Sequence, residues 1–272
     1  MSNLVQRTIT GVFFVLLIVM AILAGHLYFS ILFLFVNIFG LWEFYTLIEK
    51  KEVNANKFAG IATGTFLFAS NALIALELLP REILYLNFLF IFLIFLYELY
   101  RKNEHPFTNI AFTFFGILYV AVPFSLLNYF PNPGFAGGEY LPQILLGFFI
   151  LVWVNETMAY VVGISIGRNR LFKRISPKKS WEGAIGGGVF CFAAAYVLSL
   201  FFHQAELYDW LIIGGITVVF GTYGDLFESM LKRSINAKDS GSLLPGHGGI
   251  LDRFDGVFMA APFVFVYLLL TF

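Results

Sequence analysis

Long apolar blocks separated by short polar breaks run through the whole chain. A bilayer core about 30 Å thick is crossed by about 20 apolar residues of helix, and windows of that size recur along the sequence. The windows lie at approximately 8–25, 27–48, 57–79, 83–100, 107–129, 142–166, 181–202, 210–228 and 256–272. The pattern predicts an all-α, polytopic integral membrane protein with about nine transmembrane helices.

The positions of the basic residues predict the orientation of these helices. Cytoplasmic loops of membrane proteins carry an excess of Lys and Arg. With a cytoplasmic N-terminus, the predicted spans place sixteen of the 17 basic residues inside and leave only Arg81 outside. The composition agrees, since 59% of the residues are hydrophobic and 12% are charged, which is not typical of a soluble protein. The single cysteine, Cys191, excludes an intramolecular disulfide and a zinc site made of cysteines.

Two of the predicted cytoplasmic breaks contain enough polar residues for chemistry. They are 168–182 and 229–255, and both lie in the second half of the chain. We therefore predict that residues 1–140 are a membrane-embedded scaffold that also offers helices for dimerisation. Residues 141–272 are predicted to form a catalytic membrane domain whose site faces the cytoplasm.

Carboxylates mark both ends of the longer polar segment. Asp225 lies near the cytoplasmic end of the eighth predicted span, where a carboxylate is costly unless it is paired, hydrated or bound to a metal. Glu228 shares its helical face, and the alternative reading of Asp225 is an interfacial carboxylate paired with Lys232. Asp252 and Asp255 repeat the spacing at the start of the last span, where acidic residues are also ordinary partners of the helix dipole. If the two ends converge, their oxygens suit Mg²⁺.

Basic residues and glycines accompany these carboxylates. The basic residues are Lys178, Lys179, Lys232, Arg233, Lys238 and Arg253. Carboxylates for a metal beside cations for phosphates are typical of phosphoryl or nucleotidyl transfer, although the same cations can simply set the topology and touch anionic lipid. The Pro-Gly-His-Gly-Gly turn at 245–249 offers backbone N–H groups to a phosphate, and His247 is either a donor to a phosphate oxygen or an ordinary surface residue.

Four further polar residues lie within or next to predicted spans. Asn155 and Glu156 fall inside the sixth span, where they either line the same cavity or bond a neighbouring helix. Glu43 and Glu98 lie near cytoplasmic helix ends, where they reach water, so we interpret them as structural. A transporter or channel that uses Asp225, Glu156 and Glu43 as an ion path is an alternative from a different class.

The polar segment resembles the signature of the phosphatidate cytidylyltransferases, the CDP-diacylglycerol synthases. The resemblance runs through all 27 residues from Ser229 to Asp255, including Lys-Asp-Ser-Gly at 238–241 and Pro-Gly-His-Gly-Gly-Ile-Leu-Asp-Arg-Phe-Asp at 245–255. It extends to Ser-Pro-Lys-Lys-Ser-Trp-Glu-Gly at 176–183 and, more loosely, to 155–160. Residues 1–140 match in hydrophobicity and length alone.

The resemblance implies the reaction and its setting. CTP and phosphatidic acid would give CDP-diacylglycerol and pyrophosphate, with Mg²⁺, at the cytoplasmic face of the inner membrane. The partners would be CTP, phosphatidic acid and the bilayer, with no nucleic acid, and the surplus of helices is consistent with a homodimer. Whether one or two cations bind is left open, and another CTP-using lipid enzyme such as a polyprenol kinase is the nearest alternative.

The resemblance also implies roles for individual residues. Asp225 and Asp252 would bind the metal, supported by Asp255. The residues implied in catalysis are Asp225, Asp252, Lys179 and His247. Those implied in substrate binding are Lys178, Lys179, Ser229, Lys232, Arg233, Lys238, Asp239, Gly248, Gly249 and Arg253. The family commonly has Asp where this chain has Glu156, so Glu156 is a secondary candidate, together with Asn155, Glu182 and Glu228.

Overall fold

The computed structural model describes residues 3–49, 53–132, 140–237, 240–241 and 248–272, with side chains described from residue 9 onwards. The described α-helices are α1 Asn3–Ala24, α2 His26–Glu49, α3 Lys57–Ala75, α4 Leu86–Arg101, α5 Pro106–Gly116, α6 Val122–Leu126, α7 Pro142–Ile166, α8 Trp181–Phe201, α9 Leu207–Ser234 and α10 Leu251–Thr271. Short 3₁₀ turns cover Arg81–Tyr85 and Leu127–Tyr129, and a π-helical segment covers Ile117–Ala121. Strands β1 Arg170–Phe172 and β2 Ser176–Ser180 pair antiparallel.

Eight helical segments in the described part of the chain are long and apolar enough to cross a membrane. They are His26–Glu49, Lys57–Ala75, Arg81–Arg101, Pro106–Tyr129, Pro142–Ile166, Trp181–Phe201, Leu207–Ser234 and Leu251–Thr271. The first predicted window coincides with α1, whose described apolar part, Ile9–Ala24, is shorter. The all-α, polytopic fold is therefore confirmed, and the cytoplasmic position of the N-terminus stays a prediction.

Two helix boundaries differ from the apolar windows. Helix α9 continues to Ser234, six residues beyond the predicted end, and α10 begins at Leu251, five residues before the predicted start. Lys232 and Arg233 in the last turn of α9, and Asp252 in the first turn of α10, match the helix dipoles. Charged residues of this kind extend a helix beyond the apolar window. The connection between the two helices is therefore 235–250, shorter than the predicted polar loop.

The first of two compact units comprises Met1–Tyr129 and Ile235–Arg253. Its core is aromatic, with Phe29, Phe33 and Phe124 buried against one another. Glu98 is buried and accepts hydrogen bonds from Arg101 (3.1 Å), Asn103 (3.2 Å) and Asn109 (2.9 Å), which supports its structural interpretation.

The second unit comprises Phe130–Ser234 and Phe254–Phe272, and small residues bring its helices close together. A Cβ on Gly183 would lie 2.6 Å from the Ala159 carbonyl oxygen, and one on Gly187 would lie 2.7 Å from that of Asn155. These two glycines therefore allow close packing of α7 and α8. The predicted functional division at residue 140 stays a prediction, since the compact units have other boundaries along the chain.

Candidate active site

In the second unit, a lysine from the hairpin formed by β1 and β2 contacts a carboxylate of α9. The Lys179 ammonium forms an ion pair with Asp225, and the two side chains are 27% and 34% exposed. Ser229, one turn further along α9, lies 3.4 Å from the Asp225 carboxylate through its hydroxyl. Because the pair is half-buried and still open to solvent, a ligand can reach both charges.

The hydrogen bonds around Lys179 fix the position of its backbone. Lys179 is on β2, next to Ser180, which caps α8 by accepting a hydrogen bond from the Gly183 amide at 3.1 Å. Glu182 in the first turn of α8 accepts from the backbone amides of Arg168 and Asn169, each at 3.1 Å. Glu182 therefore holds the start of the hairpin, which explains its position in the Ser-Pro-Lys-Lys-Ser-Trp-Glu-Gly segment.

Further carboxylates from α7, α9 and α10 accompany this ion pair. Glu228 is buried and pairs with Lys232 at 2.5 Å, so the alternative pairing of Asp225 with Lys232 is wrong. Asp255 is buried and accepts a hydrogen bond from the Gly256 amide at 2.7 Å. The carboxylates of Asp225, Glu156 and Glu228 all act electrostatically on Asp255, as does the Lys179 ammonium.

Asn155 and Glu156 are neighbours on α7 but have different surroundings. Asn155 is buried, and its side-chain oxygen would lie 3.0 Å from a Cβ on Gly187 of α8, so it packs at the crossing of the two helices. The Glu156 side chain approaches Gly256 of α10, where a Cβ would lie 2.9 Å from its Oε1. The sequence left two possibilities for these residues, lining the cavity or contacting a neighbouring helix. Asn155 contacts a neighbouring helix, whereas Glu156 faces the carboxylate cluster.

The donor chemistry of this cluster fits a hard divalent cation. Four carboxylates, those of Glu156, Asp225, Glu228 and Asp255, accompany two lysines. Two of the four, Glu228 and Asp255, are buried, where negative charge is costly unless it is paired or bound to a cation. Over the described ranges, no three Asp, Glu, His or Cys side chains are arranged to enclose an ion by themselves. Mg²⁺ commonly takes only one or two protein carboxylates and completes its shell with water and phosphate oxygens, so the two observations are compatible.

The first unit contains Asp252 in a separate network. The Asp252 carboxylate accepts hydrogen bonds from the Ser240 hydroxyl (2.8 Å), the Ser240 amide (3.1 Å) and the Gly249 amide (2.9 Å). Gly248 has a φ of +86°, a conformation that glycine adopts without strain. The Gly248-Gly249 turn thus folds its backbone onto Asp252 at the start of α10.

Glu43 of α2 is the residue that the sequence interpretation underestimated. It is only 6% exposed and accepts hydrogen bonds from the amides of Ile250 (2.9 Å) and Leu251 (3.0 Å) as well as from the Ser240 hydroxyl. The predicted access of Glu43 to water is therefore wrong, and the signal for its role in the sequence is an acidic residue inside an apolar span.

The remaining predicted residues are exposed or lie outside the described part of the chain. Lys178, Arg233 and Arg253 are exposed. Lys238, Asp239 and His247 lie outside the described residues, so their predicted roles stay predictions. The structure assigns Asp225 and Asp255 to the second unit and Asp252 to the first, and whether they share a metal ion also stays a prediction.

The fold and these clusters define a polytopic membrane protein equipped with carboxylates and lysines suited to phosphate chemistry. The chain belongs to the cytidylyltransferase family, whose model matches residues 5–271. It is 32% identical over 273 residues to the phosphatidate cytidylyltransferase of Staphylococcus aureus strain COL, covering 97% of this chain and 98% of the relative. It is 30% identical over 271 residues to that of Bacillus subtilis strain 168, covering 99% of each chain. The family predicted from the polar segment is confirmed, and the match includes residues 5–140, outside that segment.

Proposed function

We propose that the protein transfers the cytidylyl group of CTP to phosphatidic acid, giving CDP-diacylglycerol and pyrophosphate for phospholipid synthesis. One observation carries this conclusion: relatives named phosphatidate cytidylyltransferase match this chain from end to end, at 97–99% coverage. The protein is a multi-pass membrane enzyme of the nucleotidyltransferase class. We further propose that it lies in the inner membrane with its site facing the cytoplasm. We also propose a homodimer, formed through helices of residues 1–140.

The chemistry needs charge neutralisation more than a strong base. A phosphate oxygen of phosphatidic acid forms a bond to the α-phosphorus of CTP, and the bond from that phosphorus to the oxygen bridging to the β-phosphate breaks. The electron pair leaves with pyrophosphate, and no proton has to be removed from the nucleophile. This explains why lysines and carboxylates, and not a nucleophile paired with a base, are what the described clusters contain.

Lys179 is the residue that we assign to the triphosphate. It leaves Asp225 when a more highly charged phosphate group arrives, because the half-exposed ion pair holds the two side chains together by only about 1 kcal/mol or less. We propose that the released Asp225 carboxylate, together with Asp255, would hold Mg²⁺, and that Asp252 is a further carboxylate required by the reaction. The ion, when bound, neutralises phosphate oxygens and the charge that develops on the leaving group.

The function is tested with purified protein, labelled CTP and phosphatidic acid in mixed micelles. We expect label in a chloroform-soluble product and equimolar release of pyrophosphate. CTP labelled in the cytosine ring separates the candidates, since a lipid kinase transfers the γ-phosphate and leaves the ring label in water. A transporter gives no lipid product, and absence of ring label from the lipid phase contradicts the proposal.

Lys179→Ala is expected to lower kcat/KM for CTP by about 10-fold or more, because a phosphate contact made in the transition state is lost. Lys173→Ala is the matched control, since Lys173 is an exposed lysine in the turn of the same hairpin. We expect its kinetics to stay within about twofold of wild type. Equal kinetics for the two variants would contradict the phosphate contact of Lys179 and leave the hairpin lysines with a role in membrane topology alone.

A further inference from the structure

We propose that Glu43, on the second helix, is a positioning residue for the reaction, acting through the start of α10 on Asp252. The inference rests on the proposed function, because it assigns Glu43 to the support of a carboxylate that the reaction needs. It gives the N-terminal part of the chain, so far only a scaffold, a part in catalysis.

The first observation is the way in which α10 begins. The first amide groups of a helix have no partner within the helix and are usually capped by a side chain nearby in sequence. Here Glu43 accepts from Ile250 at 2.9 Å and from Leu251 at 3.0 Å, across sequence separations of 207 and 208 residues. The register and position at which α10 starts are therefore set by α2, and Asp252 is the next residue.

The second observation is a direct bridge to Asp252. The Ser240 hydroxyl lies within hydrogen-bonding distance of both Glu43 and Asp252. Since a hydroxyl has one hydrogen, it donates to one carboxylate at a time, while the amides of Ser240 and Gly249 hold Asp252 in either case. The Ser240 hydroxyl thus bridges Glu43 and Asp252.

The third observation is the choice of glycine in this segment. A Cβ on Gly241 would lie 2.6 Å from Glu43 Oε2, and a Cβ on Gly249 would overlap the same carboxylate. The two glycines therefore leave room for Glu43, whatever contact their amides make with phosphate. Three independent features of the segment, its amides, its serine and its glycines, are built around one buried carboxylate.

The test is Glu43→Gln, which keeps the shape but replaces one acceptor oxygen by a donor group facing the amides. We expect kcat to fall by about 10- to 100-fold with KM for CTP within about twofold, because Glu43 acts on the position of Asp252 and not on the substrate. Without any substrate or metal, hydrogen exchange of the Ile250 and Leu251 amides should accelerate by about 10-fold, since their acceptor is weakened.

Glu98→Gln is the matched control, because Glu98 is also a buried carboxylate of the first unit with three polar partners, none of them in the 240–252 segment. Its kcat and the exchange at Ile250 and Leu251 should stay near wild type. Ser240→Ala is a milder second variant that removes the bridge alone, and it should lower kcat in the same direction.

Three outcomes overturn the inference: wild-type kcat in Glu43→Gln, unchanged amide exchange, or equal losses in Glu98→Gln. If Glu43→Gln does not fold, wild-type kcat in Ser240→Ala has the same effect. Failure of the proposed function gives a different result, because the wild-type protein itself then forms no cytidylyl lipid. The exchange experiment still reports on the hydrogen bonds from the Ile250 and Leu251 amides to Glu43.

Discussion

Asp225→Asn is expected to lower turnover of CTP into lipid by about 10³-fold or more, with normal membrane insertion and folding. The amide keeps the shape of the side chain but loses the charge that a divalent cation or the Lys179 ammonium needs. Because the ion pair with Lys179 is half-exposed, its loss changes the free energy of unfolding by about 1 kcal/mol or less. Lost activity in this variant therefore reports on chemistry and not on stability.

The measurement compares initial rates of labelled CTP incorporation with the unfolding temperature in detergent. Glu206→Gln is the matched control, because it neutralises an exposed carboxylate just before the same helix. Its rate should equal that of wild type. A rate for Asp225→Asn near wild type would remove Asp225 from the metal site.

Gly224→Ala is expected to destabilise the second unit by about 3 kcal/mol or more. Its Cβ would overlap the carbonyl oxygen of Asp255 and lie 3.2 Å from the Gly256 Cα, so two backbones would have to separate. Since Asp225 follows Gly224 on α9 and Asp255 is the contacted residue of α10, we expect activity to be lost together with stability.

The opposite sign is expected for Gly215→Ala on the same helix. The nearest atoms to its Cβ belong to the Phe192 ring, at 3.7 and 3.8 Å, which is ordinary van der Waals contact. Replacing a helical glycine by alanine without strain stabilises a protein by about 0.4–1 kcal/mol. Unfolding temperatures in detergent, measured side by side, check the contrast, and a stable Gly224→Ala variant would contradict the close approach of α9 and α10.

The spans could be predicted because the bilayer fixes their length and requires their side chains to be apolar. The ends of α9 and α10 could not, since a hydropathy window stops at charged residues such as Lys232 and Asp252 even where the helix continues. The hairpin between α7 and α8 was also missed. Its strands are short, and Lys178 and Lys179 have no apolar alternation of the kind that marks a strand.

The site was predictable in residue type and much less in pairing. Asp225 was identified because a carboxylate in a span needs a partner, but the local candidate Lys232 pairs with Glu228, and the actual partner lies 46 positions away on the hairpin. Glu43 illustrates the same limit more strongly. Its partners are about two hundred residues away, and spacing along one sequence carries no information about such a contact.

Strand β2 has a consequence for the two consecutive lysines of the Ser-Pro-Lys-Lys-Ser segment. Successive side chains on a strand point to opposite faces, and Lys179 pairs with Asp225 while Lys178 is exposed. In a loose loop, both ammonium groups could bind one ligand, whereas consecutive residues of a helix, like those of a strand, do not share a face. On this hairpin the two ammonium groups lie on opposite faces of the strand. The two consecutive lysines therefore bring one positive charge to Asp225, and the Lys178 ammonium remains available to a ligand on the opposite face.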